Sequence, residues 1–78
     1  MTPAQCRAAR GLLDWTQSRL ADVAKVAVST VTSFERSWRV AAPETIQAIQ
    51  HALEAAGVEF IPENGSGAGV RMKKAKLN

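Results

Sequence analysis

The sequence predicts a mainly α-helical fold of four helices followed by a C-terminal β-hairpin. Apolar residues recur at three- and four-residue spacing in four segments before residue 57, which is the pattern of amphipathic helices. After that point, Val58–Ile61 has the composition of a strand, and the turn-rich segment 62–69 precedes a second short apolar run. With 78 residues, 46% of them hydrophobic, the chain is expected to form one compact domain.

The first helix is predicted to begin at Pro3 and to run to about Leu13. Thr2 can accept a hydrogen bond from a free backbone N–H, Pro3 suits the first helical position, and Gln5 can reach back as in a capping box. Its inward stripe is predicted to consist of Cys6, Ala9, Leu12 and Leu13. We expect the thiol on this stripe to be a small core residue and not a reactive group.

Two short helices are predicted next. Thr16 resembles the N-cap of a helix over 17–24, with four apolar residues available for burial, Leu20, Ala21, Val23 and Ala24. The next helix is predicted over 28–36, because Val31 and Phe34 lie three residues apart on one face. β-Branched residues in this segment would favour a strand on propensity alone, but the periodicity and the short links to both neighbours favour a helix.

The fourth helix is predicted to run from Pro43 to Ala56. Its inward stripe consists of Ile46, Ile49, Ala52, Leu53 and Ala56, and Gly57 is a natural terminator. The chain is thus divided into a helical domain at 1–57, a hairpin at 58–73 that could serve in dimerisation, and a disordered basic tail at 74–78. Whether the hairpin pairs within one chain or between chains stays open at this level.

Several classes of function are excluded by composition. One cysteine, Cys6, and one histidine, His51, cannot supply a zinc site or an internal disulfide. The sequence contains neither a Ser/His/Asp set nor a phosphate-binding loop, because the glycines at 65–69 lack a following Lys-Ser/Thr and helix. We therefore expect no enzymatic activity, no cofactor and no small-molecule substrate. A single thiol and the absence of a long apolar run predict a cytoplasmic protein without a membrane segment.

The net charge of +3 is mildly indicative of a polyanionic partner. Four basic side chains stand against two acidic ones after residue 57, so the basic charge is concentrated late in the chain. The cluster Arg71–Lys76 could be either a solvated tail or an arm that contacts DNA.

The stretch WTQSRLADVAKVAVSTVTSFER, followed by RVAAPETIQAIQHALEAAG, resembles the helix-turn-helix domain of the Cro and phage-repressor type. The resemblance covers about residues 3 to 57. In this architecture two short helices joined by a tight turn lay the second helix in the major groove. The resemblance implies a transcriptional regulator that binds double-stranded DNA as a homodimer.

The resemblance also implies the site residues. Its base-facing positions would be Val28, Ser29, Thr32 and Ser33. Its contacts to the DNA backbone would be Gln17, Lys25, Thr30, Arg36 and Arg39. None of the base-facing residues is Arg, Lys, Asn or Gln, which make the strongest direct contacts to base edges, so sequence specificity should be modest. Arg10 and Glu35 would form a structural, partly buried ion pair between the first and third helices.

Three positions depart from the family pattern. Lys25 stands where the family prefers Gly in the turn, and Ser37 stands where Gly is common after the third helix. Ala27 replaces the usual Ser or Thr N-cap, so either the third helix begins later with Ser29 as its cap or this motif is weakly stabilised.

The sequence also allows a second class of function. The weak base-reading chemistry also fits a protein-interaction module, such as an antitoxin-like partner of another protein, and the outer face of the third helix would then be ordinary solvated surface. Trp38 could either cover the end of the fourth helix or contact a partner or DNA.

Overall fold

A computed structural model describes residues 1–37 and 40–73. The expectations for Trp38, Arg39 and the tail 74–78 fall outside this part of the chain. The predicted mainly helical fold with a C-terminal hairpin is confirmed. Its elements are α1 (Pro3–Leu13), α2 (Gln17–Ala24), α3 (Val28–Glu35), α4 (Pro43–Ala55), β1 (Val58–Ile61) and β2 (Gly69–Met72).

Side-chain caps define where the first two helices begin. The backbone N–H of Gln5 donates to Thr2 Oγ1 at 3.1 Å, and the Thr2 N–H donates to Gln5 Oε1 at 2.8 Å, so the predicted capping box is present. At α2, the Arg19 N–H donates to Thr16 Oγ1 at 3.0 Å. These bonds satisfy N–H groups that have no partner within the helix.

The core lies where the four helices and the first strand meet. Its buried apolar members are Cys6, Ala9, Leu20, Ala21, Val31, Phe34, Ile49, Ala52, Leu53 and Val58. Two residues predicted for burial are exposed instead: Leu12 by 45% and Val23 by 40%. Leu12 lies about 20° around α1 from the buried Gln5, and Val23 lies about 60° around α2 from the buried Leu20, so both stand at the edge of an inward stripe and stay exposed.

The hairpin is formed within one chain and packs on the helices. Its strands are antiparallel, with Val58 opposite Met72 and Ile61 opposite Gly69. Val58 is fully buried in the core. The buried Gln5 side chain donates from Nε2 to the carbonyl oxygen of Gly69 at 3.0 Å and to that of Ile61 at 3.3 Å. The first turn of α1 is thereby joined to the end of the hairpin that leads into its loop.

The backbone of the glycine-rich loop between the strands binds the side-chain carboxylate of Glu63, a residue of the same loop. Glu63 Oε1 accepts hydrogen bonds from the N–H groups of Gly65 at 2.8 Å and Gly67 at 2.9 Å. These bonds lower the pKa of Glu63 below its ordinary value of 4.5. Gly65 and Gly67 have φ angles of +94° and +99°, which side chains rarely tolerate, so the glycines allow the loop to close around this anion.

Among the helices described, none is long and apolar enough to cross a bilayer.

Candidate nucleic-acid interface

A tight turn, Lys25 to Ala27, joins α2 to α3. Lys25 has φ 60° and ψ 44°, in the left-handed region, and the N–H of Val26 donates to the Ala21 carbonyl at 3.0 Å. Placing a residue with a side chain in this region costs about 1 kcal/mol relative to glycine. Ser37, after α3, is also left-handed with φ 58°. Both positions where the family commonly has glycine therefore keep the backbone conformation that glycine would adopt.

The two faces of α3 differ in burial. Val31 and Phe34 point into the core, whereas Val28 is 46% exposed and Ser29 is also exposed. The remaining polar residues of the helix, apart from Glu35, are half-buried: Thr30, Thr32 and Ser33. On one side α3 therefore packs against the core. On the other side it presents the methyl groups of Val28 and the hydroxyls of its serines and threonines.

The start of α3 resolves the alternative about its cap. Ala27 occupies the N-cap, no side chain bonds there, and the helix begins at Val28, so the later start with Ser29 as cap is wrong. The reason is that the Ala27 carbonyl already accepts from the N–H groups of Thr30 at 3.0 Å and Val31 at 3.4 Å. At its other end α3 stops at Glu35, one residue before the predicted end.

Replacing Ala27 with serine is expected to raise the free energy of unfolding by about 1 kcal/mol, because serine can accept from an N–H of the first turn that lacks a side-chain cap. Thr16→Ala removes the cap of α2 and should lower the same quantity by about 1 kcal/mol. Urea denaturation followed by circular dichroism measures both. An Ala27→Ser protein no more stable than the native one would contradict the argument.

A partly buried ion pair between Arg10 and Glu35 ties α1 to α3. Arg10 Nε lies 2.7 Å from Glu35 Oε2, and Arg10 Nη2 donates to Glu35 Oε1 at 2.7 Å, so the contact is bidentate as expected from the resemblance. The Glu35 side chain is only 1% exposed. Cys6 Sγ donates to Oε2 at 3.1 Å, and Gln17 Nε2 donates to Oε1 at 3.0 Å. Arg7 adds a hydrogen bond to the backbone carbonyl of Glu35.

These contacts fix the protonation of the cluster. Burial alone would raise the pKa of Glu35, but the hydrogen bonds from Arg10, Gln17 and Cys6 lower it below 4.5, so the carboxylate is charged at neutral pH. Burial and the adjacent Glu35 raise the pKa of the Cys6 thiol. Cys6 is therefore a neutral hydrogen-bond donor inside the core as well as a packing residue.

The half-buried side chain of Gln17 is bonded at both ends of its amide to other residues of the protein. Besides its bond to Glu35, its Oε1 accepts from Thr32 Oγ1 at 2.7 Å. The NH₂ group of this amide carries a second N–H, so a phosphate contact by Gln17, implied by the resemblance, does not require these bonds to break. The sequence shows Gln17 as the first residue of α2 but gives no signal that it would connect Glu35 to Thr32, since this depends on how α2 packs against α3.

The remaining predicted contacts lie around α2 and α3. Lys25 is exposed in the turn, and Arg36 is exposed just after α3. Thr30 is half-buried beside the exposed Ser29, and Arg39 lies outside the described residues. The contacts of all these residues with DNA stay predictions.

The Helix-turn-helix family model matches residues 7–60, which is more than half of the chain. The protein belongs to this family, of the Cro and phage-repressor type, as the motif at 15–36 predicted. It is a DNA-binding helix-turn-helix regulator, and its partner is double-stranded DNA. No curated protein matches the chain.

Proposed function

We propose that this regulator binds duplex DNA as a homodimer, with α3 of each copy lying in the major groove. The observation that supports this most directly is the division of α3 into a buried face, with Val31 and Phe34, and an outer face on which Val28 and Ser29 are exposed. A helix anchored on one side and open on the other is what insertion into a groove requires.

The chemistry of the outer face suits modest sequence specificity. Hydroxyls form single hydrogen bonds to base edges, and Val28 can touch a thymine methyl group, whereas the strongest readout uses bidentate Arg, Asn or Gln contacts. Affinity then depends on the DNA backbone, through Lys25 and Arg36 beside α3, Thr30 on it, Arg39 beyond it, and Gln17 at the start of α2. The bonds of Gln17 to Glu35 and Thr32 leave one N–H of its side-chain amide and its backbone N–H for this contact.

Dimerisation would compensate for the few contacts that one copy can make. Two copies related by a two-fold axis present two α3 helices about 34 Å apart, one turn of DNA. The hairpin is the candidate contact, because the described sheet has two strands only and both outer edges lack a strand partner. Met72, at the end of β2, is an exposed large apolar residue of the hairpin.

The same strand edges favour a second candidate function, a module that binds another protein by adding one of its strands to the sheet. This alternative needs no DNA contact through α3. A DNA-binding experiment therefore distinguishes the two functions.

Selection of bound duplexes from a random pool, followed by fluorescence anisotropy at two salt concentrations, tests the proposal. We expect a palindromic site with half-sites about 10 base pairs apart, and an affinity that falls as salt rises, because binding releases counterions from the phosphates. If no duplex is enriched from the pool at low salt, DNA binding through α3 is rejected. Enrichment of a single unrepeated half-site would reject the homodimer.

A further inference from the structure

We propose that Thr32 contacts the groove only as a hydrogen-bond acceptor, and that it selects a base carrying an exocyclic amino group, adenine or cytosine, over guanine or thymine. The inference rests on the proposed function, since it requires α3 to lie in the major groove. It follows from a chain of four hydrogen-bonded residues that begins at Arg10 and ends on the outer part of α3.

The chain starts with a group that can only accept. Both carboxylate oxygens of Glu35 are engaged by Arg10, and the lowered pKa of Glu35 keeps the group ionised at neutral pH. A carboxylate presents lone pairs alone, so the Gln17 amide must turn its NH₂ toward it, as it does with Nε2 at 3.0 Å from Oε1. The reversed amide would set two oxygens against each other.

The orientation of Gln17 decides what Thr32 can do. With Nε2 facing Glu35, Oε1 faces the Thr32 hydroxyl at 2.7 Å, and the other polar neighbour of this hydroxyl is the Val28 carbonyl oxygen at 3.1 Å. Both neighbours are acceptors. A hydroxyl has one proton, and whichever neighbour receives it, the proton is used inside the protein. Thr32 therefore offers only lone pairs to an outside group.

The two serines of the same face differ from Thr32. Within residues 1–37 and 40–73, no hydrogen bond engages the hydroxyls of Ser29 and Ser33. They can donate or accept, as the base in front of them requires. Thr32 thus differs from these serines, because its hydroxyl proton is already donated within the protein and its oxygen can only accept a hydrogen bond from DNA.

An acceptor distinguishes bases in the major groove. Adenine presents the N6 amino group and cytosine the N4 amino group, whereas guanine and thymine present carbonyl oxygens at the corresponding positions. A base amino group that faces Thr32 can donate a hydrogen bond to the hydroxyl oxygen. A base carbonyl oxygen in the same place would face the lone pairs of that oxygen and could form no hydrogen bond. The expected preference is for adenine or cytosine on the strand that Thr32 faces, in each half-site.

The test uses the duplex recovered by the selection described above. Each adenine is replaced singly by purine, which lacks the 6-amino group, and each cytosine by 2-pyrimidinone, which lacks the 4-amino group. Anisotropy should show binding by the native protein weakened about three- to tenfold at the position that faces Thr32 in each half-site; positions that face Ser29 or Ser33 can respond too, and the Thr32 variants distinguish them. The base type at that position reports whether the amino group belongs to adenine or cytosine.

Variants assign this effect to Thr32. Thr32→Val should bind the normal and the amino-deleted duplex equally, and Thr32→Ala, which suits a helix well, repeats the measurement if the valine variant does not fold. Thr32→Ser keeps the hydroxyl and should keep the difference, as should Ser33→Ala. The proposal is overturned if both Thr32→Val and Thr32→Ala retain the native sensitivity, or if the native protein responds at no position. If no duplex is enriched at all, the proposed function itself fails, which is a separate result.

Discussion

Replacing Arg10 with methionine is expected to lower the free energy of unfolding by about 3–5 kcal/mol. The Glu35 side chain, 1% exposed, would remain in the core with its cationic partner removed. Its two other side-chain donors, Cys6 and Gln17, are neutral and cannot replace the guanidinium. Urea denaturation followed by circular dichroism measures the loss, and because small domains are stable by roughly 4–12 kcal/mol, the variant should be partly unfolded or close to it.

Two control variants show whether the loss of stability comes from the burial of Glu35 or from the loss of any ion pair. Arg71→Met breaks the pair between Arg71 and Glu59, whose side chains are 66% and 41% exposed, and should cost no more than about 1 kcal/mol. Arg10→Met combined with Glu35→Leu removes both charges of the pair and should recover much of the stability lost in the single variant. An Arg10→Met protein as stable as Arg71→Met would show that the buried pair is dispensable.

The ion pair between Arg10 and Glu35 should also make the stability of the fold sensitive to acid. The pKa of Glu35 is lower in the folded protein than its ordinary value of 4.5, so this carboxylate contributes stability that is complete above about pH 4.5 and is lost as the pH falls through the folded pKa. The double variant lacks this group and should lose less stability across that window. Denaturation curves at several pH values below 5 measure the difference, and parallel losses in both proteins would contradict the assignment.

Replacing Ser29 with glutamate is expected to weaken DNA binding at least about 100-fold. Ser29 lies exposed near the start of α3, so the new carboxylate would enter the groove among the phosphates, where like charges cost several kcal/mol. An acidic residue in the first turn favours a helix, so the variant should stay folded. Ser66→Glu makes the same change of charge in the exposed hairpin loop and should alter affinity only a few-fold. Native affinity in Ser29→Glu would exclude α3 from the groove.

Most of the fold could be predicted from the sequence because its signals are local. The capping residues Thr2 and Thr16 act within three residues of their own position, and the left-handed turn at Lys25 follows from the family pattern. The predicted burial of Leu12 and Val23 was wrong because an apolar residue at the edge of a stripe has no fixed neighbour. Local spacing cannot tell whether another helix will cover that edge.

The polar contacts between elements could be predicted only where a resemblance supplied them. The Arg10–Glu35 pair came from the family pattern, and spacing alone does not give it. The two glutamines were missed as connecting residues: Gln5 reaches carbonyls 56 and 64 positions away, and Gln17 reaches Thr32 across the α2–α3 contact. An amide can serve as donor and acceptor on any side, so its partners are set by the finished packing.

The reach of Gln5 makes the hairpin a structural member of the DNA-binding unit. Its amide joins the first turn of α1 to the two ends of the glycine loop, and Val58 completes the core beside α4. A polypeptide cut after Gly57 would leave that amide without its carbonyl partners and the core without one of its members. Such a fragment should therefore be less stable than the full chain, and α1 and the hairpin should exchange their amide hydrogens as one cooperative unit.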